Sequence, residues 1–349
     1  MAQRLLVISP VRNEAVHLEL VADAVARQTR PPDLWVLVDD GSTDGTPKIL
    51  ARLSERIGFV KVVHTPEQLL PSAVKDRLAT AAAPRTFNLG LHSVAWESFT
   101  HIAKLDGDIE LPPDYFERLL GEFERDPELG LAGGVWAEPD SRRPDTHRPA
   151  IRHPNTRHPN TRHPDYDHDH RDGEGDHVGW KVQPIPLEHH VLGSLKCYSL
   201  ECFQAIGGMQ ERLGWDTIDQ VYARMRGFRT RSFPQLVTRH HRPWGSADGA
   251  LRGHARHGQC AYIVHYPLPW VTLRAFKTAR LRPRGLSGVA FLYGYVRSAV
   301  SRVPQVEDRE LRGFIRRELR ARARHELAGR ASRRDSHGQE LVPVSTSER

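Results

Sequence analysis

The chain has 349 residues, 39% of them hydrophobic and 27% charged, with a formal net charge of +7; this suffices for one large α/β domain or two smaller ones and excludes a wholly disordered chain. Its 43 Arg, 7 Lys and 20 His suit phosphates and carboxylates, which admits nucleic acid, an anionic membrane or a phosphate-bearing substrate as partner. Cys197, Cys202 and Cys260 are too few for a disulfide framework or zinc cage and point to a reducing compartment, and the N-terminus reads as neither a signal peptide nor a membrane span.

Residues 5–9 form an apolar run ending at Pro10, which predicts a buried parallel strand. A helix is expected over 17–28, a strand over 34–38, a helix from about 43–46 to 56 and a strand over 59–63. This alternation argues for a mostly parallel sheet with helices on its faces. A helix containing Asn88 leads to a strand at 101–105, then a helix at 113–123 and an apolar run at 129–136 complete a nucleotide-binding half, residues 1–136. Ligands of such sheets sit at the carboxyl ends of strands, so the acids at 39–40 and 106–108 should converge.

Residues 137–189 break the pattern. A five-residue tandem repeat, Arg152-His-Pro-Asn-Thr and its successors, is followed by Asp/His and Asp/Gly tracts. It reads as an exposed, disordered insertion; its histidines can bind transition metals weakly, but tract expansion is the favoured account and no catalytic metal is assigned to it. Residues 190–245 resume with helices at 199–206 and 216–226, separated by Gly207-Gly208, and strands at 230–233 and 236–238. Residues 246–330 read as a helical basic extension and 331–349 as a disordered polar tail.

Charge is polarised along the chain. Residues 1–136 carry 14 Lys/Arg against 20 Asp/Glu, whereas residues 246–349 carry 20 against nine. The net charge is thus a difference between two parts and not a nucleic-acid signature, so no nucleic-acid partner is expected. Arg274, Arg280, Arg282, Arg284 and the cluster at 316–324 can meet anionic lipid headgroups, with 291–296 supplying apolar and aromatic groups; a solvated helical face is the simpler reading.

Two constellations carry chemistry. Asp106-Gly-Asp108 at the end of a buried strand can hold a hard divalent cation that grips a diphosphate. Asp39-Asp40-Gly41-Ser42 closes the second strand; a capping turn explains Ser42, but two adjacent carboxylates repel unless base or ribose donors or a metal compensate.

With these motifs in order, the chain resembles a family 2 glycosyltransferase of the GT-A fold. The resemblance spans roughly residues 4–300 outside the insertion and rests on Ser9-Pro10-Val-Arg12-Asn13-Glu14, Val38–Thr46, Asp106-Gly-Asp108, Cys202–Gly208 and Gly214-Trp215-Asp216. It implies a cytoplasmic inverting transferase, peripheral to the inner membrane face if it meets lipid, that uses a nucleotide-diphosphate sugar and Mn2+ or Mg2+ to build a glycan or lipid-linked product.

The resemblance implies that Pro10, Arg12, Asn13, Glu14, Asp39, Asp40 and Ser42 border the nucleotide, with Asn88 nearby. Asp106 and Asp108 correspond to the metal motif, Asp108 more directly. Asp216 corresponds to the family's catalytic aspartate; Trp215 stands where the family has Glu, and Asp219, a helical turn on, shares the face, so either acid can approach the acceptor. As helix N-terminal acids both would also complement the dipole.

His241, in His240-His241-Arg242, is a further metal ligand or diphosphate contact and Arg242 a phosphate contact, unless the cluster is simply exposed. His190, Gly193, Gly208 and Trp215 are assigned to the acceptor side, though a satisfied, partly buried histidine is the favoured reading of His190. A sugar nucleotidyltransferase is disfavoured, since no Gly-rich triphosphate loop with Arg/Lys stands near the N-terminus. A basic nucleic-acid- or metal-binding protein leaves the ordered acidic motifs unexplained.

Overall fold

The computed structural model describes residues 2–67, 81–139, 180–183, 188–242, 249–281 and 283–338. The chain divides into two compact units, Met1–Ser246 and Ala247–Arg349.

The first unit is mixed α/β, a curled sheet flanked by helices. Its strands are β1 (Leu5–Val11), β2 (Leu34–Asp39), β3 (Val60–His64), β4 (His101–Leu105), β5 (Ile109–Glu110), β6 (Leu129–Pro139), β7 (Trp180–Val182), β8 (Leu195–Ser199) and β9 (Arg229–His240). The order is β3-β2-β1-β4-β8-β6-β9-β5, with β7 on β6. The expected parallel pairing holds from β3 to β4; β8 then runs antiparallel to both β4 and β6.

Strand β1 is buried on both faces, which explains its unbroken apolar run. Leu5 and Val7 enter a core with α1 (Leu18–Ala26), α2 (Thr46–Arg56) and α4 (Tyr115–Arg125). Leu6 and Ile8 enter a second core with α3 (Ala82–His92), α5 (Leu200–Ala205) and α6 (Trp215–Met225). Period-two alternation thus splits one strand between two helical layers.

Two features position the site. Strand β9 is one strand with a register shift against β6, not the two runs expected. A Cβ on Gly134 would stand 2.2 Å from the Leu236 carbonyl oxygen, so only glycine permits this approach. The short β5, directly after Asp106-Gly-Asp108, pairs Ile109 with His240 and Glu110 with Arg239. That pairing brings the far end of β9 to the acidic turn.

The insertion boundaries need correction. Residues 137–139 continue β6, and β7 pairs back on them with Ala137 opposite Val182. The repeat and its histidines lie outside the described residues.

The second unit is helical: α7 (Ala250–Ile263), α8 (Leu268–Thr278), α9 (Leu286–Val300) and α10 (Arg309–Gly338). Helix α10 continues through residues 331–338, which were expected in the tail; residues 339–349 lie outside the described residues. Phe291, expected among groups available to a membrane, is instead buried with Ala261, Val271 and Ala275. Among the described residues no helix is long and apolar enough to cross a membrane.

Candidate functional site

The loops after β1 and β2 lock together through side chains. The Asn13 amide, at positive φ, donates to Ser42 Oγ at 3.0 Å, and the Thr43 amide donates to Asn13 Oδ1 at 2.8 Å. Arg12 Nη1 donates to the Asp40 carbonyl at 2.5 Å, and the Glu14 amide to Thr46 Oγ1 at 2.8 Å. Asp39 is buried, accepting from the Ser42 amide at 2.9 Å while its other oxygen lies 3.3 Å from His64 Nδ1. The expected nucleotide-side residues therefore form one rigid edge, with Pro10 held in β1 opposite Val38.

The acidic turn packs on that edge. A Cβ on Gly107 would sit 3.1 Å from Val11 and 3.2 Å from Glu14, so the turn lies close against the β1 loop. Arg242 joins the two: its Nη2 is 2.7 Å from Glu14 Oε2 and its Nε 3.9 Å from Asp108 Oδ2. His240 Nε2 is 3.5 Å from the same Asp108 oxygen, and its Nδ1 is 3.8 Å from Glu138. Asp106 pairs with Lys104.

These contacts set the protonation of the pair. Burial favours a neutral His240, but its interactions with Asp108 and Glu138 outweigh that and hold its pKa up at about 9. Burial likewise penalises the Asp108 carboxylate, yet the His240 contact and the charges of His240, Arg242 and His17 bring its pKa below the usual value. Asp108 is therefore ionised beside a protonated His240 and the Arg242 guanidinium.

His241, expected as a metal ligand or diphosphate contact, is held by other side chains. Its Nε2 lies 2.8 Å from Glu110, its ring stacks on His17 at 5.7 Å and meets Trp180 at 5.2 Å. β9 ends at His240, and it is His240 that lies beside Asp108, with His241 in the bend that follows. Arg242, the expected phosphate contact, does stand at the acidic turn.

The donor set suits a divalent cation. Asp106 and Asp108 offer carboxylate oxygens, and His240, 3.5 Å from Asp108, offers an imidazole nitrogen only once an arriving cation displaces its proton. Among the described residues no group of three His, Cys, Asp or Glu side chains is already arranged as a metal cage.

On the other side of the turn, the Asp106 amide donates to the Ser194 carbonyl at 3.0 Å, which brings the loop before β8 alongside. A Cβ on Gly193 would lie 3.1 Å from Asp216 Cβ and 3.5 Å from the Trp215 ring. Asp216, in the first turn of α6, thus flanks this loop closely. His190 contributes its carbonyl to Ser232 Oγ at 2.7 Å. Gly208 closes α5 at positive φ, packed on Phe203.

Two expected residues are committed elsewhere. Asp219 is 3% exposed and takes bonds from Lys196 Nζ at 2.7 and 2.8 Å and Tyr198 Oη at 2.5 Å, so it cannot reach an acceptor. Burial raises its pKa and lowers that of Lys196, each offset by the other's charge. Asn88 donates its amide to the Met209 carbonyl at 2.9 Å and to Glu211 at 3.0 Å, pinning the loop before α6.

Residues 6–179 match the model of glycosyl transferase family 2. The chain carries a family 2 glycosyltransferase domain. A similar curated protein, the succinoglycan biosynthesis protein ExoA of Rhizobium meliloti (strain 1021), is 28% identical over 116 residues, 33% of this chain and 31% of that protein. The chain thus spans about a third of that relative's length. Among solved structures, the mannosyltransferase PcManGT from Pyrobaculum calidifontis, in complex with GDP-Man and Mn2+, aligns at 17% identity and TM-score 0.48, covering 93% of this chain and 80% of that one. TarS residues 1–349 of S. aureus in complex with UDP-GlcNAc align at 12% identity and TM-score 0.46, covering 86% and 73%. The matched residues include the β1 loop and the acidic turn, while the end of β9 lies beyond them.

Proposed function

We propose that this chain transfers a sugar, with inversion, from a nucleotide-diphosphate sugar to a hydroxyl of a glycan or lipid-linked acceptor. The observation that carries the reading is the position of the Asp106–Asp108 turn, flanked by His240 and Arg242 on one side and by the Gly193–Ser194 loop with Asp216 on the other. The name of the succinoglycan biosynthesis relative supports a polysaccharide product.

In this reading the β1–β2 edge, from Pro10 to Glu14 with Asp39, Asp40 and Ser42, receives the nucleoside. Asp106 and Asp108, with His240 once it loses its proton, would hold Mn2+ or Mg2+, and the ion would supply neutralisation of charge on the departing diphosphate. Arg242 adds a guanidinium suited to phosphate oxygens. Asp216 accepts the acceptor hydroxyl's proton as that oxygen bonds to the anomeric carbon, while the bond to the diphosphate breaks on the opposite face and its electron pair leaves with the nucleotide. One direct displacement inverts the centre. His190, Gly193, Gly208 and Trp215 lie on the acceptor side.

A thermal-shift series with nucleotide-diphosphate sugars, each with and without manganese, tests the reading. Binding to the native fold raises the melting temperature. The expected result is manganese-dependent stabilisation by a subset of donors; stabilisation by none of them, with or without metal, contradicts it.

A further inference from the structure

Helix α9 is built with its small residues inside. Its buried face is Ser287, Gly288, Phe291, Gly294 and Ser298. A Cβ on Gly258 of α7 would fall 1.9 Å from the Phe291 carbonyl oxygen, and one on Gly294 1.8 Å from that of Ala255. The helices therefore meet backbone to backbone, which leaves no room there for large side chains.

The large side chains lie outside. Leu286, Val289, Tyr293, Val296 and Val300 are 57, 62, 57, 55 and 78% exposed, at alternating spacings of three and four that draw one stripe along the helix. Neighbouring α8 adds Phe276, 66% exposed. A continuous row of this kind is unlike the single exposed apolar residues that any surface carries.

Charge identifies the occupant. Residues 250–306 contain nine Lys/Arg and no Asp or Glu. The cations stand beside the exposed rings: the Arg280 guanidinium is 4.9 Å from the centre of Phe276 and that of Arg297 6.0 Å from Tyr293. A second copy apposed stripe to stripe would bring like charges together. An anionic bilayer offers apolar chains to the stripe and phosphates to the arginines. Helix α9 has 15 residues, about 22 Å of helix against a hydrocarbon core of about 30 Å, too short to span but suited to lying flat.

We propose that α8 and α9 form an interfacial anchor that lays the 286–300 stripe into the headgroup region of an anionic bilayer. The anchor belongs to the second unit and stands independently of the transfer chemistry.

Flotation of the full-length chain with phosphatidylcholine vesicles, with and without phosphatidylglycerol, tests it. Binding is expected to the phosphatidylglycerol vesicles and to weaken with salt. The double variant Val289→Asp, Val296→Asp should lose about tenfold in bound fraction at an unchanged melting temperature, because both side chains are exposed. Arg274→Gln with Arg280→Gln and Arg284→Gln should remove the preference for the anionic lipid. Wild-type binding by the valine double variant, or equal salt-insensitive binding to both vesicles, overturns the proposal. A dimer in sedimentation velocity that the valine double variant dissociates also overturns it, assigning the stripe to self-association.

Discussion

Lys104 and Lys196 face each other directly across the β4–β8 pair, each 1% exposed. Like charges so placed repel, and the sheet tolerates them because each has its own carboxylate. Lys104 pairs with Asp106 and Lys196 with Asp219, while the Trp215 ring lies 5.3 and 5.2 Å from the two ammonium groups. This buried double pair ties the strand that ends in the acidic turn to the helix that presents Asp216.

The pair separates the two acids of α6 experimentally. Asp219→Ala leaves Lys196 buried without its carboxylate and should cost about 3–5 kcal/mol in urea unfolding. Asp216→Asn should leave stability within about 1 kcal/mol of wild type and donor affinity intact, while turnover falls by orders of magnitude. Equal stability losses for both variants would remove the distinction.

His240 and His241 should differ in the same way. His240→Ala is expected to weaken manganese-dependent nucleotide binding at least about tenfold in calorimetric titration, with a far smaller effect in the absence of metal. His241→Ala loses only the Glu110 and aromatic contacts and should change that affinity little. The reverse order would return the ligand role to His241.

Acid stability should report His101. Its side chain is buried against Phe123 at 4.8 Å, and burial, then the nearby Arg30 charge, depresses its pKa from 6.5 to about 4. The unfolded chain binds this proton first, so stability is full above pH 6.5 and declines as pH falls toward 4. The loss approaches about 3 kcal/mol. His101→Gln should flatten the unfolding free energy over this range relative to wild type; an unchanged slope would count against the burial effect.

Much of this arrangement was legible in the residues. The runs of β1 and β2 are apolar at their buried positions except Ser9 and Asp39, and each ends at its expected nucleotide loop, so the order of motifs along the chain carried the fold. Strand β8 was missed because Lys196 interrupts it, and a lysine argues against a buried strand until Asp219 and Tyr198 are seen around it. The choice between His240 and His241 depends on the β5–β9 register, which brings together residues far apart in sequence. Asp216 and Asp219 share a helical face, but only the packing of α6 on β8 decides which carboxylate is taken by the core. In α9, Phe291 has the composition of an exposed aromatic run, and the glycines of α7 and α9 turn it inward.

The proposed transfer requires that the Asp106–Asp108 turn bind a nucleotide-diphosphate sugar together with a divalent cation. Calorimetric titration of a donor found by thermal shift, into wild type and Asp108→Ala, with and without manganese, tests it most directly. Manganese is expected to tighten binding to wild type, and Asp108→Ala to abolish this metal dependence while the protein stays folded. Unchanged affinity in the variant, with manganese still tightening binding, would contradict it.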